Sequence, residues 1–131
     1  MRAFIVELEN IPGSLAAVAE AVAAGGINIE GVAGLALGDK GAVAVITGDE
    51  SGTRGALDAA SLRYREVELV NAALDNQPGT LGTAARRLAD AGVNVELLAP
   101  TGMEGGKVSV AFGVGDAAAA RRALGDLATG G

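Results

Sequence analysis

The chain has 131 residues, half of them apolar but only 2% aromatic, so its core must be built from Ala, Val, Leu and Ile and it offers little on which nucleic-acid bases could stack. A formal charge of -6 repels a phosphate backbone, and the absence of His and Cys excludes disulfides, thiol chemistry, zinc sites and histidine acid–base catalysis. No apolar run approaches the roughly 18 residues that span a membrane. Strand-like sequence follows closely on Met1 and leaves no room for a signal peptide, so a cytoplasmic protein is the expectation.

Residues 3–9 alternate, with Phe4, Val6 and Leu8 on one face and Glu7 and Glu9 on the other, which reads as a half-buried strand. Pro12-Gly13 breaks it and opens a helix, because Pro lacks only a donor that the first turn leaves unpaired anyway. Leu15, Val18 and Val22 form a stripe at helical spacing and are all expected in the core. Gly25-Gly26 ends the helix, a second strand runs from about Ile27 to Leu37, and Gly38–Gly41 reads as a hairpin turn. A third strand covers 42–47 and a second helix lies near 52–60. Residues 62–74 are one long extended stretch, whose first part closes a β-α-β-β-α-β unit and whose second part opens another.

The same order then runs again. Val70, Ala72 and Leu74 keep the phase of the first strand, Pro78-Gly79 breaks it, and Leu81, Ala84, Ala85 and Leu88 form the next apolar stripe. Gly92 ends that helix, strands follow over about 93–99 and 107–113, and a last helix covers 117–127. So few residues remain that the second copy reads as lacking its fourth strand, with the edge open or covered by another segment or a partner chain. The third strand is apolar on both faces, with Ser109 and Ala111 read as the equivalents of Val43 and Val45, so one sheet is expected to bury its helix-free face.

The repetition is also literal. Asn10-Ile11-Pro12-Gly13-Ser14-Leu15 returns as Asn76-Gln77-Pro78-Gly79-Thr80-Leu81, and Gly26-Ile27-Asn28-Ile29-Glu30 returns as Gly92-Val93-Asn94-Val95-Glu96, both at a shift of 66. Further on, Gly48-Asp49 matches Gly115-Asp116 at a shift of 67. The single-residue difference is assigned to the turn after the third strand, since turns absorb such a change and a slip inside a strand reverses its faces. Two domains follow, over residues 1–66 and 67–131.

Both copies of these two motifs, on a β-α-β-β-α-β pattern, resemble ACT domains, and the whole chain resembles the small stand-alone tandem ACT proteins of bacteria. The fold class implied is α+β: two ferredoxin-like repeats with antiparallel sheets and helices on one face. The resemblance further implies a non-enzymatic regulatory protein, without cofactor or metal. It would bind an amino acid at the loop between first strand and first helix, against strand two of a neighbouring ACT domain. The implied ligand residues are Asn10, Ile11, Pro12, Gly13, Ser14 and Asn28, with Asn76, Gln77, Pro78, Gly79, Thr80 and Asn94 in the second copy. A homodimer and a regulated enzyme or regulator are the implied partners, and pairing within or between chains stays open.

The chemistry suits that reading. A helix N-terminus offers unpaired N–H groups and a positive dipole end to a carboxylate. An asparagine amide both donates and accepts, as a zwitterion requires. The same residues also serve turn geometry and loop hydrogen bonding with no ligand at all. A small or aliphatic amino acid fits best, and a partner-binding subunit that has lost its ligand is the alternative. Gly113-Val114-Gly115-Asp116-Ala117-Ala118 fits a dinucleotide fingerprint, but its counterpart lacks the first glycine and too little chain follows for a βαβ unit. Asp39, Asp49, Glu50 and Asp116 lie in turns and helix starts, without calcium-loop spacing.

Overall fold

The computed structural model describes residues 1–130 and contains seven strands and four helices. The strands are β1 (Arg2–Glu9), β2 (Ile29–Leu37), β3 (Lys40–Thr47), β4 (Tyr64–Asp75), β5 (Val95–Glu104), β6 (Lys107–Val114) and β7 (Ala128–Thr129). The helices are α1 (Ser14–Ala24), α2 (Glu50–Ala59), α3 (Thr80–Asp90) and α4 (Ala117–Leu124). Arg2–Glu66 form one compact unit; Val67 and the residues beyond it, with Met1, form another. The long β4 contributes its first residues to one and the rest to the other.

In the first unit β1 lies between β3 and the start of β4, and β2 is the edge strand beyond β3. Phe4, Val6, Val43 and Val45 face the helices and pack with Val18, Val22 and Leu57. Arg54 of α2 lies 5.8 Å over the Phe4 ring and forks onto Glu66, at 2.8 Å from Nε and 2.6 Å from Nη2. In the second unit β4 lies between β6 and β7, with β5 at the edge. Its core joins Val70, Ala72, Leu74, Val110, Phe112 and Val114 to Ala84, Leu88, Ala120 and Leu124. The strand pairings within each unit are antiparallel, and each unit is a ferredoxin-like repeat.

The second repeat does have a fourth strand. The chain turns through a short 3-10 segment, Gly125–Leu127, and β7 pairs with β4 through Asn71↔Thr129 and Ala72↔Ala128. Two residues give no alternation to read, which is why the sequence pattern shows none there.

The register also moves the single-residue difference between the copies. Phe4 faces Val45 and Glu9 faces Lys40 in the first repeat; Val70 faces Phe112 and Asp75 faces Lys107 in the second. The shift is therefore already 67 at the start of the third strand of each repeat. It changes inside β5, where pairing jumps from Pro100↔Val110 to Gly102↔Ser109 and leaves Thr101 as a bulge. A bulge takes up one residue and restores the alternation on either side, so a strand can absorb it. Val43 and Val45 correspond to Val110 and Phe112, on the helix side, rather than to Ser109 and Ala111. The true correspondence places one Phe and one Val across the same strand pair in each repeat, on exchanged sides. Conserving the summed volume of such a pair is the exchange a packed core tolerates best. The helix-free faces carry buried residues as well, among them Ala3, Ala44 and Ile46 in one unit and Leu69, Ala99 and Ala111 in the other.

Candidate functional site

The loop from β1 to α1 is two tight turns in succession. Ile11 N–H donates to Glu9 C=O at 2.9 Å, and Ser14 N–H to Ile11 C=O at 3.3 Å. The second turn has Pro12 and then Gly13 at its centre, and Gly13 is left-handed (φ 92, ψ -13). That is the type II arrangement, in which the third position takes a positive φ that glycine adopts without strain. The loop from β4 to α3 repeats it: Gln77 N–H to Asp75 C=O at 2.8 Å, Thr80 N–H to Gln77 C=O at 3.4 Å, and Gly79 at φ 91. Gly13 and Gly79 are thus the N-caps, and Pro12 and Pro78 stand one residue before the cap rather than inside the helix. The turn determines where the helix begins.

This cap leaves the helix starts open. Ala17 N–H reaches Gly13 C=O at 2.9 Å and Thr83 N–H reaches Gly79 C=O at 3.0 Å. Among the described residues the amides of Leu15 and Ala16, and of Leu81 and Gly82, have no partner, and neither helix has a side-chain cap or an acid in its first turn. The other two helix starts differ in carrying a carboxylate at the N-cap. Asp49 Oδ1 accepts from Gly52 N–H at 2.8 Å, and Asp116 Oδ1 accepts from Ala119 N–H at 3.0 Å. The Gly113–Ala118 segment therefore ends at a helix start already filled by its own carboxylate.

Asn10 is exposed and ties the loop to the β2–β3 turn, through its backbone N–H to Asp39 C=O at 3.0 Å and its Nδ2 to Gly38 C=O at 2.9 Å. Among the described residues its Oδ1 accepts no hydrogen bond. Asn76 keeps the backbone bond, to Gly106 C=O at 3.1 Å, but its side chain makes no such bond among the described residues. Thr80 Oγ1 instead lies 2.7 Å from Asp75 C=O and 3.2 Å from Gln77 C=O, so this loop closes on itself.

Asn28 and Asn94 are exposed, just ahead of β2 and β5. Ile29 pairs with Thr47 at one end of β2, while Leu37 pairs with Lys40 at the other, beside the turn that Asn10 holds. Asn10 and Asn28 consequently lie at opposite ends of β2 and are not brought together within the repeat.

Leu15 and Leu81 are not core residues: they are 59% and 44% exposed, and Ile11 is 63% exposed. Helical spacing identifies a face but not whether anything lies opposite it. In the first repeat Leu15 and Ile11 stand over a cleft of about 340 Å³, walled by Leu8 and Val43 and rimmed by Glu9, Asn10 and Ser14. Gly34, Ala36 and Gly41 line its base. Sequence reading alone misses Leu8, Leu15 and these three small residues as parts of the site; the signal available is the run of glycine and alanine in β2. No group of acidic side chains able to hold a metal ion occurs among the described residues, and no helix there is long and apolar enough to cross a membrane.

No family model and no curated protein matches the chain. Solved structures do. Protein BT0572 from Bacteroides thetaiotaomicron has a TM-score of 0.77 at 22% identity, over 97% of this chain and 91% of that one. The ligand-free regulatory subunit of aspartate kinase from Thermus thermophilus has a TM-score of 0.66 at 19% identity, over 96% and 90%. A structure of aspartokinase alpha and beta subunits has a TM-score of 0.66 at 22% identity, over 95% and 90%. With the topology above, these define the fold: two ferredoxin-like repeats in tandem.

Proposed function

We propose that this chain is a non-enzymatic regulatory protein of two ACT repeats, over residues 1–66 and 67–131, that binds a free amino acid at a β1–α1 type loop. The observation that carries the reading is the contrast among helix starts. The two that follow Pro-Gly turns have glycine at the N-cap and no acid in the first turn, while the two that follow the third strands already hold the carboxylates of Asp49 and Asp116. Open N–H groups at a dipole's positive end suit a carboxylate. In the first repeat the Asn10 oxygen can accept from an ammonium, with Ile11, Pro12, Gly13 and Ser14 shaping the loop. Gln77, Pro78, Gly79 and Thr80, with Asn76, shape it in the second. Asn28 and Asn94 would act on a ligand held by a neighbouring domain.

Likeness to the aspartate kinase regulatory subunit supports the regulatory part of the proposal. Regulation would follow from a difference in ligand affinity between two states, as in a homodimer whose association the ligand favours. A thermal-shift screen against the twenty amino acids tests it. A ligand at 100 times its dissociation constant stabilises by about 2.7 kcal/mol. A specific shift that Asn10→Ala weakens supports the reading, and none at millimolar concentration removes it.

A second reading has one observation of its own. The edge strand β2 exposes Val32, Leu35 and Leu37, at 54%, 77% and 84%. An apolar, unpaired edge invites another strand, so a protein partner is the function to pursue if no amino acid binds.

A further inference from the structure

Building on the amino-acid reading, we infer that only the first repeat takes the ligand, and that the ligand carries an apolar side chain. The register allows the two clefts to be compared position by position. In the first repeat Gly34 pairs with Val43, Ala36 pairs with Gly41, and Gly41 also faces Leu8. In the second, Pro100 pairs with Val110, Met103 pairs with Val108, and Val108 faces Leu74. Gly34, Ala36 and Gly41 therefore become Pro100, Met103 and Val108.

All three positions lie on the helix side of the sheet, in line with Val43 and Leu8. Where the first repeat places a single methyl group, the second places a pyrrolidine ring, a thioether chain and an isopropyl group. The Thr101 bulge falls between two of them. The cleft beneath Ile11 and Leu15 exists because its base is small, and the second repeat carries larger residues at the same positions, with Val108 half-buried and Met103 68% exposed.

Ligand chemistry follows from what surrounds the cleft. The open amides of Leu15 and Ala16 mark the carboxylate end, and Asn10 Oδ1 marks the ammonium end. A side chain between them enters a space walled by Leu8, Ile11, Leu15 and Val43, and the Glu9 carboxylate at its rim is already paired with Lys40, so a charged group would lose water for little return. A volume of about 340 Å³ is near the lower limit of small-molecule sites and suits one amino acid rather than a nucleotide.

Titration calorimetry of the full chain tests this, with valine, leucine, isoleucine, methionine, lysine and aspartate as probes. The expected result is one site per chain for an apolar amino acid, with lysine and aspartate weaker by about tenfold or more. Gly34→Val should abolish that binding and keep the fold, since a Cβ at Gly34 meets nothing closer than Ala42 O at 3.6 Å. Ala36→Met, at an exposed position, makes the same test should Gly34→Val fail to fold. Pro100→Val, the control in the second repeat, should leave binding unchanged. Two sites per chain, tightest binding by lysine or aspartate, or full affinity in the filled variants would overturn this inference and leave the amino-acid reading in place. Binding by none of the six would overturn this inference, and no thermal shift with any of the twenty amino acids would overturn both.

Discussion

The side-chain amide of Asn10 donates to the carbonyl of Gly38 at 2.9 Å, so the loop that starts α1 is fastened to the turn between β2 and β3. Asn76 occupies the same place in the second repeat without that bond. Asn10→Ala should therefore cost about 0.5 kcal/mol of stability, at the low end for a hydrogen bond because the site is exposed. Asn76→Ala should cost nothing measurable. Urea midpoints of the two variants check this, and equal effects would contradict it.

Ser14 sits at the first position of α1, behind an uncapped turn. An acid there opposes a bound carboxylate but favours the helix dipole. Ser14→Asp is expected to raise stability by about 0.3–1 kcal/mol while weakening amino-acid binding. Opposite signs in thermal melting and in calorimetry would separate the binding role of this helix start from its folding role. If both fall together, the residue is acting on the fold.

Glu66 is held below the usual carboxylate range, chiefly by its hydrogen bonds from the Arg54 guanidinium, with smaller help from the charges of Arg54 and Arg2. Because its folded value lies below its unfolded one, the stabilisation is complete above the ordinary glutamate value of about 4.3. It is lost as pH falls through the folded value. Glu66→Gln should lower the urea midpoint at neutral pH and leave it unchanged once the pH is below the folded value of Glu66. A constant difference at all pH values would mean that packing, and not charge, is what the substitution removes.

The sequence showed the fold through its strongest signals, the alternation in Phe4–Leu8 and the helical spacing of Val18 and Val22. It also showed the loops, because a turn that needs Gly13 and Gly79 must state them literally. The Thr101 bulge was not legible, because both faces of β3 are apolar and either register between it and β6 satisfies the pattern. Leu15 was misplaced because its partners across the cleft are glycine and alanine, and a missing side chain leaves no periodic mark. The glycines of β2 looked like composition, and only the strand pairing shows which of them leave space. Deleting Thr101 should give a folded protein, since the alternation on both sides is already in phase. Deleting Ala111 from the middle of β6 should unfold the second repeat, because it reverses the faces of everything beyond it. Circular dichroism and solubility of the two deletions decide this.

The central claim is that the open amides at the start of α1 receive the ligand's carboxylate. Amide-resolved NMR titration of the uniformly nitrogen-15-labelled protein with the amino acid that gives the largest thermal shift tests it most directly. The account predicts that the Leu15 and Ala16 N–H resonances move most and saturate together, while those of Leu81 and Gly82 stay in place. Saturable shifts elsewhere in the chain, with Leu15 and Ala16 unmoved, would contradict it.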